Sequence, residues 1–553
     1  SSILLANLSI QNYALIDDVS VSFSNGFTTI TGETGAGKSI LLGGLSMVLG
    51  KRADLSSLKN KDQKCVIEAE FDVSKYQLKP FFEENDLDYE KTTILRREIL
   101  PSGKSRAFVN DSPVTLDVMR ALGDQLVDVH SQHQTMQLTD NDFQMKVLDA
   151  LAENAENLSG YTQELEKLRA ASKELQKLEE FQADADKEHD YNSFLLKELE
   201  DAKLKKGMQE ELEEEYEQLS NVEQIMEQLS AGHQLLNDEQ LGIVGRLTDL
   251  KRAFQSLTDF GSDYKSLSDR IQSVLIETDD IASELEQLQE GVEANPERLE
   301  VVNSQLQQLY DLQKKHHTDS VTELIEIREE LAQKVDAVAN IESKIKAKRE
   351  EVEAITKKVD AWAKKISEGR KNVIPTLNER LQANLSSLGM SAATFKIEVN
   401  PAKSFKTNGK DDLVFLFSAN KGSSYGELKK VASGGELSRI MLTIKSILAE
   451  YENLPTMMFD EIDTGVSGEI SNRMGEIMQQ MSGTMQVFSI THLPQVASKG
   501  RYQFKVYKEE GAEGTSTHIK QLSTDERVRE LAEMLGGKSL SESALAHAKE
   551  LLQ

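Results

Sequence analysis

The chain has 553 residues, with 64 Lys and Arg against 93 Asp and Glu, so its formal net charge is −29. Only 6% of residues are aromatic while 28% are charged, which predicts a globular part diluted by long, solvated helix and a length beyond one ordinary domain. Eight prolines exclude a collagen-like or Pro-rich chain, and a single cysteine, Cys65, excludes internal disulfides and any multi-cysteine zinc site. No run approaches the ~18 apolar residues of a membrane span. The opening Ser1-Ser2-Ile3-Leu4-Leu5 has no basic stretch before a long apolar run, so no signal peptide is expected. Coating DNA by overall charge is excluded; a nucleic-acid partner would need a local basic patch, with Lys51, Arg52 and Lys59 as candidates.

Residues 1–150 mix short β-rich runs, such as Phe27-Thr28-Thr29-Ile30, with Gly and Asp/Asn turns. Gly32-Glu33-Thr34-Gly35-Ala36-Gly37-Lys38-Ser39 follows that run and precedes a helix-like stretch over 40–49. This is a complete P-loop pattern in its strand–turn–helix context. The glycines let successive backbone N–H groups converge on phosphate oxygens, and the helix start adds partial positive charge. Lys38 is expected to reach the β- and γ-phosphates of a nucleotide, and Ser39 to ligate magnesium.

Residues 151–389 turn to Leu, Glu, Lys, Gln and Ala, and no proline occurs between Pro113 and Pro296. Leu158, Tyr161, Leu165, Leu168 and Leu175 fall on a heptad seam, as do Leu331, Val335, Val338, Ile345 and Val352. The spacing predicts an antiparallel coiled coil. Breaks are expected at Lys205-Lys206-Gly207, at Phe260-Gly261-Ser262-Asp263, and at Asn295-Pro296, a capping residue before a first-turn proline. Ser320-Val321-Thr322-Glu323 fits a capping box.

From 390 to 553 the β-rich pattern returns. Thr456-Met457-Met458-Phe459-Asp460-Glu461 reads as a buried strand delivering two carboxylates, Asp460 for magnesium and Glu461 to polarise the attacking water. Ala432-Ser433-Gly434-Gly435-Glu436 opens a helix-like run and is a second phosphate cradle.

These residues resemble the signature motif of the ABC ATPase superfamily. In that resemblance Gln132, in His130-Ser131-Gln132-His133, stands as the Q-loop glutamine near magnesium; His492 stands as the switch histidine; and Asp463-Thr464-Gly465-Val466-Ser467-Gly468 stands as the D-loop. The arm inserted between Gln132 and Ser433 is the mark of the structural-maintenance-of-chromosomes (SMC) class. Within it the chain is most similar to the bacterial RecN family, through Ile10-Gln11-Asn12-Tyr13-Ala14, the P-loop, Phe459-Asp460-Glu461-Ile462-Asp463 and Thr491-His492-Leu493-Pro494-Gln495. Ser131 where glycine is expected and Glu436 for glutamine are minor departures.

The resemblance implies an α/β ABC-type P-loop head, a mixed β-sheet with helices, assembled from both chain ends. The head halves are 1–150 and 390–553, and the arm is 151–389. It implies ATP and Mg²⁺, and hydrolysis by Glu461 and His492. It also implies a homodimer in which Ser433, Gly434, Gly435 and Glu436 act in trans. The expected role is recombinational repair of DNA double-strand breaks in the cytoplasm, at the nucleoid. The implied partners are DNA ends, single- and double-stranded DNA, a second copy through heads and arm tips, and a RecA-type recombinase; no membrane is involved. A nuclease-partner ATPase of the same class would need a Cys-x-x-Cys hook at the arm tip, which Cys65 alone cannot supply. A chromosome-organising SMC protein would need a longer arm with a Gly-rich hinge. A non-hydrolysing scaffold is disfavoured by intact Lys38, Ser39, Asp460 and Glu461.

Overall fold

The apolar runs at the two chain ends pair with one another. The structure, a computed structural model, describes residues 4–553 apart from 34, 54, 132–134 and 513 and the side chains of 35, 36, 55, 135 and 136. Strands Val127–Ser131, Thr456–Asp460, Val487–Ile490, Phe27–Gly32, Tyr502–Gly511 and Gly514–Gln521 form one six-stranded sheet in that order. The first five run parallel and the last antiparallel. Strands buried on both faces need consecutive apolar residues rather than alternation. Met457 and Phe459 therefore join the core on one face, and Met458 the core on the other. The α/β head is built from both ends of the chain.

One face is covered by helices Gly434–Leu448 and Gly468–Met481, by Leu377, Leu381 and Leu385 of helix Val321–Ser387, and by the hairpin Thr394–Lys406 and Gly409–Ser418. The other is covered by helix Gly35–Val48 and by an antiparallel sheet. That sheet has the order Ile16–Ser22, Leu5–Tyr13, Cys65–Asp72, Thr92–Ile99, Ser105–Val109, Ser112–Val114. Helix Gly35–Val48 can lie on it because Gly43 and Gly44 lack side chains: a Cβ there would sit 2.6 Å from the Tyr13 hydroxyl and 2.9 Å from Ile10. Buried Gln486 joins the two sheets, accepting from the Leu5 N–H at 2.8 Å and donating to the Leu5 carbonyl at 2.8 Å.

The chain divides into two units, 1–167 with 355–553, and 168–354. Helices Ala155–Asp201 and Val321–Ser387 contribute to both. In the second unit their outer parts run antiparallel, with Lys348 2.6 Å from Glu174 and Arg349 3.0 Å from Glu179. Four more helices, Met208–Asn237, Ile243–Gln255, Ser262–Gly291 and Pro296–Lys315, with a 3₁₀ turn at Thr258–Phe260, complete it, and the three expected breaks fall at helix boundaries. Asn295 caps as expected, accepting from the Arg298 N–H at 3.1 Å. The box at 320–323 is only half made. Ser320 accepts from the Glu323 N–H at 3.2 Å, but the Glu323 carboxylate takes the Asp319 N–H instead, at 3.3 Å.

Tyr161 is a correction to the seam. It is fully buried, and its hydroxyl donates to the carbonyls of Lys406 and Gly409 at 2.5 and 3.1 Å, so the ring packs on the head hairpin. Nearby, Arg370 is wholly buried between two carboxylates. It donates twice to Asp149, at 2.7 and 2.8 Å, and once to Asp411, at 2.9 Å. A further bond at 2.6 Å reaches the Asn408 carbonyl. Removing one partner of such a cluster strands the others without water, a loss of about 3–5 kcal/mol. Arg370→Leu is therefore expected to lose that much in urea unfolding with the slope unchanged. A loss under about 1 kcal/mol would mean the carboxylates find water or protonate freely.

Candidate nucleotide site

In open parallel sheets, ligands bind outside the carboxyl ends of the strands. Here Gly32, Ser131, Asp460 and Ile490 end four neighbouring strands at one edge. Glu33 is exposed just beyond Gly32. The helix opens at Gly35, five residues before the expected run, because the loop supplies its first-turn N–H groups. Gly37, Lys38 and Ser39 lie in its first turns, with Lys38 only 2% exposed and Ser39 exposed. Thr34 and Gln132 lie outside the described residues, as do the side chains of Gly35 and Ala36.

The Lys38 ammonium contacts Glu461 Oε1 at 3.3 Å and the Thr491 carbonyl at 3.4 Å. Both distances sit at the outer edge of hydrogen bonding, so the ammonium can re-aim at a phosphate. Glu461 has φ of 50°, the left-handed region that a non-glycine residue enters at a cost of about 1–2 kcal/mol. Three bonds hold it there. Its N–H donates to the Ile490 carbonyl at 2.9 Å, and its carbonyl accepts from the Thr464 N–H at 3.4 Å and hydroxyl at 2.9 Å. The turn aims the carboxylate back at Lys38 instead of letting it follow the strand. Burial and the neighbouring Glu461 charge push the Asp460 carboxyl up, against the opposing charge of Lys38. A half-buried acid and a more exposed one beside one buried lysine suit a cation with phosphate. Among the described residues no group of three His, Cys, Asp or Glu is placed to hold a metal; Ser39 in the first helical turns and Asp460 at its strand end are oxygen donors of the kind Mg²⁺ takes.

Thr491 was not singled out from the sequence, yet it joins three parts of this edge. Its N–H donates to the Ile30 carbonyl at 3.0 Å, its carbonyl meets Lys38, and its hydroxyl donates to Asp463 Oδ2 at 2.5 Å. Both residues are buried, and burial raises the Asp463 carboxyl while the Thr491 hydrogen bond opposes the shift. His492 follows, exposed. A threonine directly before a predicted switch histidine is the only sequence signal that could have found it.

Ser433–Glu436 lies apart. No hydrogen bond or ion pair among the described residues joins it to Lys38, Asp460, Glu461 or His492. It forms a complete capping box instead: Ser433 Oγ accepts from the Glu436 N–H at 3.2 Å, and Glu436 accepts from the Ser433 N–H at 3.0 Å. Glutamate in place of glutamine thus has a local reason, since a carboxylate favours a helix start. The helix is tethered to strand Val127–Ser131 by Lys445, which meets Asp128 at 2.7 Å, while Asp128 lies 2.9 Å from His130 Nε2. Burial would raise the Asp128 carboxyl, but His130 and Lys445 hold it below the usual range. Of the basic candidates, Lys51 and Arg52 line a cavity of about 600 Å³ with Arg120. Lys59 is instead engaged by Asp17 at 2.6 Å.

Residues 4–515 match the RecF/RecN/SMC N-terminal domain family. Over 99% of this chain and the full length of the relative, the sequence is 34% identical to the DNA repair protein RecN of Vibrio cholerae. It is 32% identical to the DNA repair protein RecN of Bacillus subtilis, over 100% of this chain and 98% of that one. The chain belongs to the RecN family. Its fold is that of an SMC-like ATPase: the Smc head domain with coiled coil and joint from Pyrococcus yayanosii superposes with a TM-score of 0.53 over 97% of this chain and 100% of that one, at 16% identity. In this RecN-family head the Thr491–Asp463 bond is open to a direct test. Thr491→Val strands a buried carboxylate, so about 1–3 kcal/mol of stability is expected to vanish at neutral pH. A raised Asp463 pKa confines that penalty to pH above it, so the gap from wild type should shrink on acidification. A pH-independent gap in thermal or urea unfolding would count against the assignment.

Proposed function

We propose that this chain hydrolyses ATP to ADP and phosphate and couples that reaction to DNA double-strand-break repair. The observation that supports it best is the meeting of Lys38, Asp460, Glu461 and the Thr491–His492 loop at one sheet edge. ATP phosphates would lie against the N–H groups of 32–39, and Lys38 would turn from Glu461 to the β- and γ-oxygens. Magnesium, held by Ser39 and Asp460 with Gln132, would neutralise phosphate charge. Glu461, released from Lys38, accepts a proton from the attacking water as its oxygen adds to the γ-phosphorus and the bond to ADP breaks. His492 would hydrogen-bond the transferred group. Glu461→Gln is expected to bind ATP but turn it over about 10²–10⁴-fold more slowly, a general-base contribution. Lys38→Ala should lose ATP affinity instead. Full turnover in Glu461→Gln would remove that residue from the reaction.

Ser433–Glu436 stands apart from Lys38 in its own head, which supports a site completed by a second chain, with Ser433, Gly434, Gly435 and Glu436 covering the γ-phosphate and Asp463 near the junction. ATP would then close head dimers and ADP release them. Mixing Lys38→Ala with Ser433→Arg protein tests this, since the heterodimer keeps one site with both halves sound. Partial recovery of turnover is expected; none, despite heterodimers by mass photometry, would contradict the shared site. Exposed apolar residues in 208–291, with Leu241 and Phe260 at 72% and 74%, fit self-association through arm tips as well. Binding and tethering of DNA ends and of single- and double-stranded DNA, action in the cytoplasm at the nucleoid, and a RecA-type recombinase as associate complete the reading. No helix among the described residues is long and apolar enough to cross a membrane.

A further inference from the structure

The head holds a concentrated basic surface that overall composition conceals. Residues 355–412 contain eleven Lys or Arg against six Asp or Glu, a net +5 within a chain of −29. On helix Val321–Ser387, Lys357, Lys364 and Lys371 recur every seven residues, and Lys358 and Lys365 do the same. At 3.6 residues per turn all five fall within an arc of about 140°. Val359, Ala363, Ile366 and Arg370 take the opposite face and are buried, whereas the five lysines are exposed. The helix is therefore anchored by one side and offers a lysine stripe about 21 Å long on the other.

The hairpin meets the edge of the stripe. Arg370, on the buried side, donates to the Asn408 carbonyl at 2.6 Å, Ser367 donates to Asp411 at 2.9 Å, and Lys410 is brought within 3.8 Å of Asp360. Acidic neighbours cancel only part of the charge: exposed Glu368 falls inside the same arc, one carboxylate among five lysines. Asp411 is consumed by Arg370, Asp412 faces Lys406, and Asp360 is shared by Lys364 at 3.7 Å and Lys410 at 3.8 Å. Exposed pairs of that length exchange readily for another anion. Trp362, half-buried against Gly160, lies under Lys365, whose ammonium is 4.8 Å from the ring, and Lys410 lies 5.0 Å from the Phe405 ring.

We infer that Lys357, Lys358, Lys364, Lys365 and Lys371, with Lys410 at their edge, form a track for the phosphate backbone of duplex DNA. Lysines at regular spacing along a helix suit sequence-independent contact with a repeating polyanion. The inference rests on the DNA-binding reading above and gives it a location, distinct from the cavity at Lys51 and Arg52. The test uses the full chain with Lys364, Lys365 and Lys371 all changed to Ala, and a labelled random-sequence duplex titrated at about 50 to 200 mM salt. Each lost phosphate contact flattens the log–log salt dependence by about 0.9, so a slope shallower by about 2.7 is expected. ATP turnover without DNA and the melting temperature should match wild type. Trp362 is the one tryptophan of the chain, so its emission should respond to duplex in wild type and not in the variant. An unchanged salt slope, or Trp362 emission indifferent to saturating duplex, overturns the track. Loss of salt-sensitive self-association with DNA binding intact also overturns it, by showing that the lysines serve an acidic face of a second copy. Should wild type bind no duplex at low salt, the DNA-binding reading itself fails.

Discussion

Val487 pairs with Phe27 on one side and Met457 on the other, so one strand near the C terminus is held between partners 460 and 30 positions away. Its neighbours end in the P-loop on one side and in Asp460 and Glu461 on the other. If this strand slipped by two residues, Thr491 would lose Lys38, and the Glu461 N–H would lose the Ile490 carbonyl that holds its left-handed turn. The entropy of closing so long a loop is modest. Going from 30 to 460 residues is about four doublings, roughly 2–3 kcal/mol, which burial of Phe459, Phe488 and Ile490 readily offsets. The larger consequence is kinetic, because pairing of such distant strands is slow to form.

Two charge clusters, one wholly buried and one half-open, serve different ends within the same head. Around Arg370 the bonds are short, bidentate and complete, as expected where a helix must be fixed. Around Lys38 they are long, the acids are crowded, and Glu461 sits in a strained backbone region. Polar groups left imperfectly satisfied in an otherwise well-packed protein mark the place where a ligand completes them. The contrast argues that the sheet edge is built for phosphate. It also argues that residues 355–387 of helix Val321–Ser387 are fixed within the head unit by a cluster that needs no ligand.

Much of this was open to reading from the chain alone, because its signals are local. The P-loop glycines, the Met457–Phe459 run, the cap at Asn295 and the breaks near Gly207 and Gly261 each declare themselves within a few residues. The misses are tertiary. Tyr161 obeys the heptad but is claimed by hairpin carbonyls more than 240 positions away. Asp149 and Asp411 look like two solvated acids until Arg370 brings them together. Lys59 looks like a free cation until Asp17 engages it. Ser433–Glu436 is legible twice, as a signature and as a capping box, and one chain alone satisfies the second without displaying the first.

The central claim is that both chain ends form one ATP site and that a second chain completes it. Hydrogen–deuterium exchange on Glu461→Gln protein with ATP and Mg²⁺ measures this most directly. Peptides covering 32–39, 460–464 and 490–493 should gain protection together on ATP binding. The peptide covering 431–437 should join them only at protein concentrations where dimers form. Protection confined to 32–39, or signature protection already present in monomers, would contradict the account.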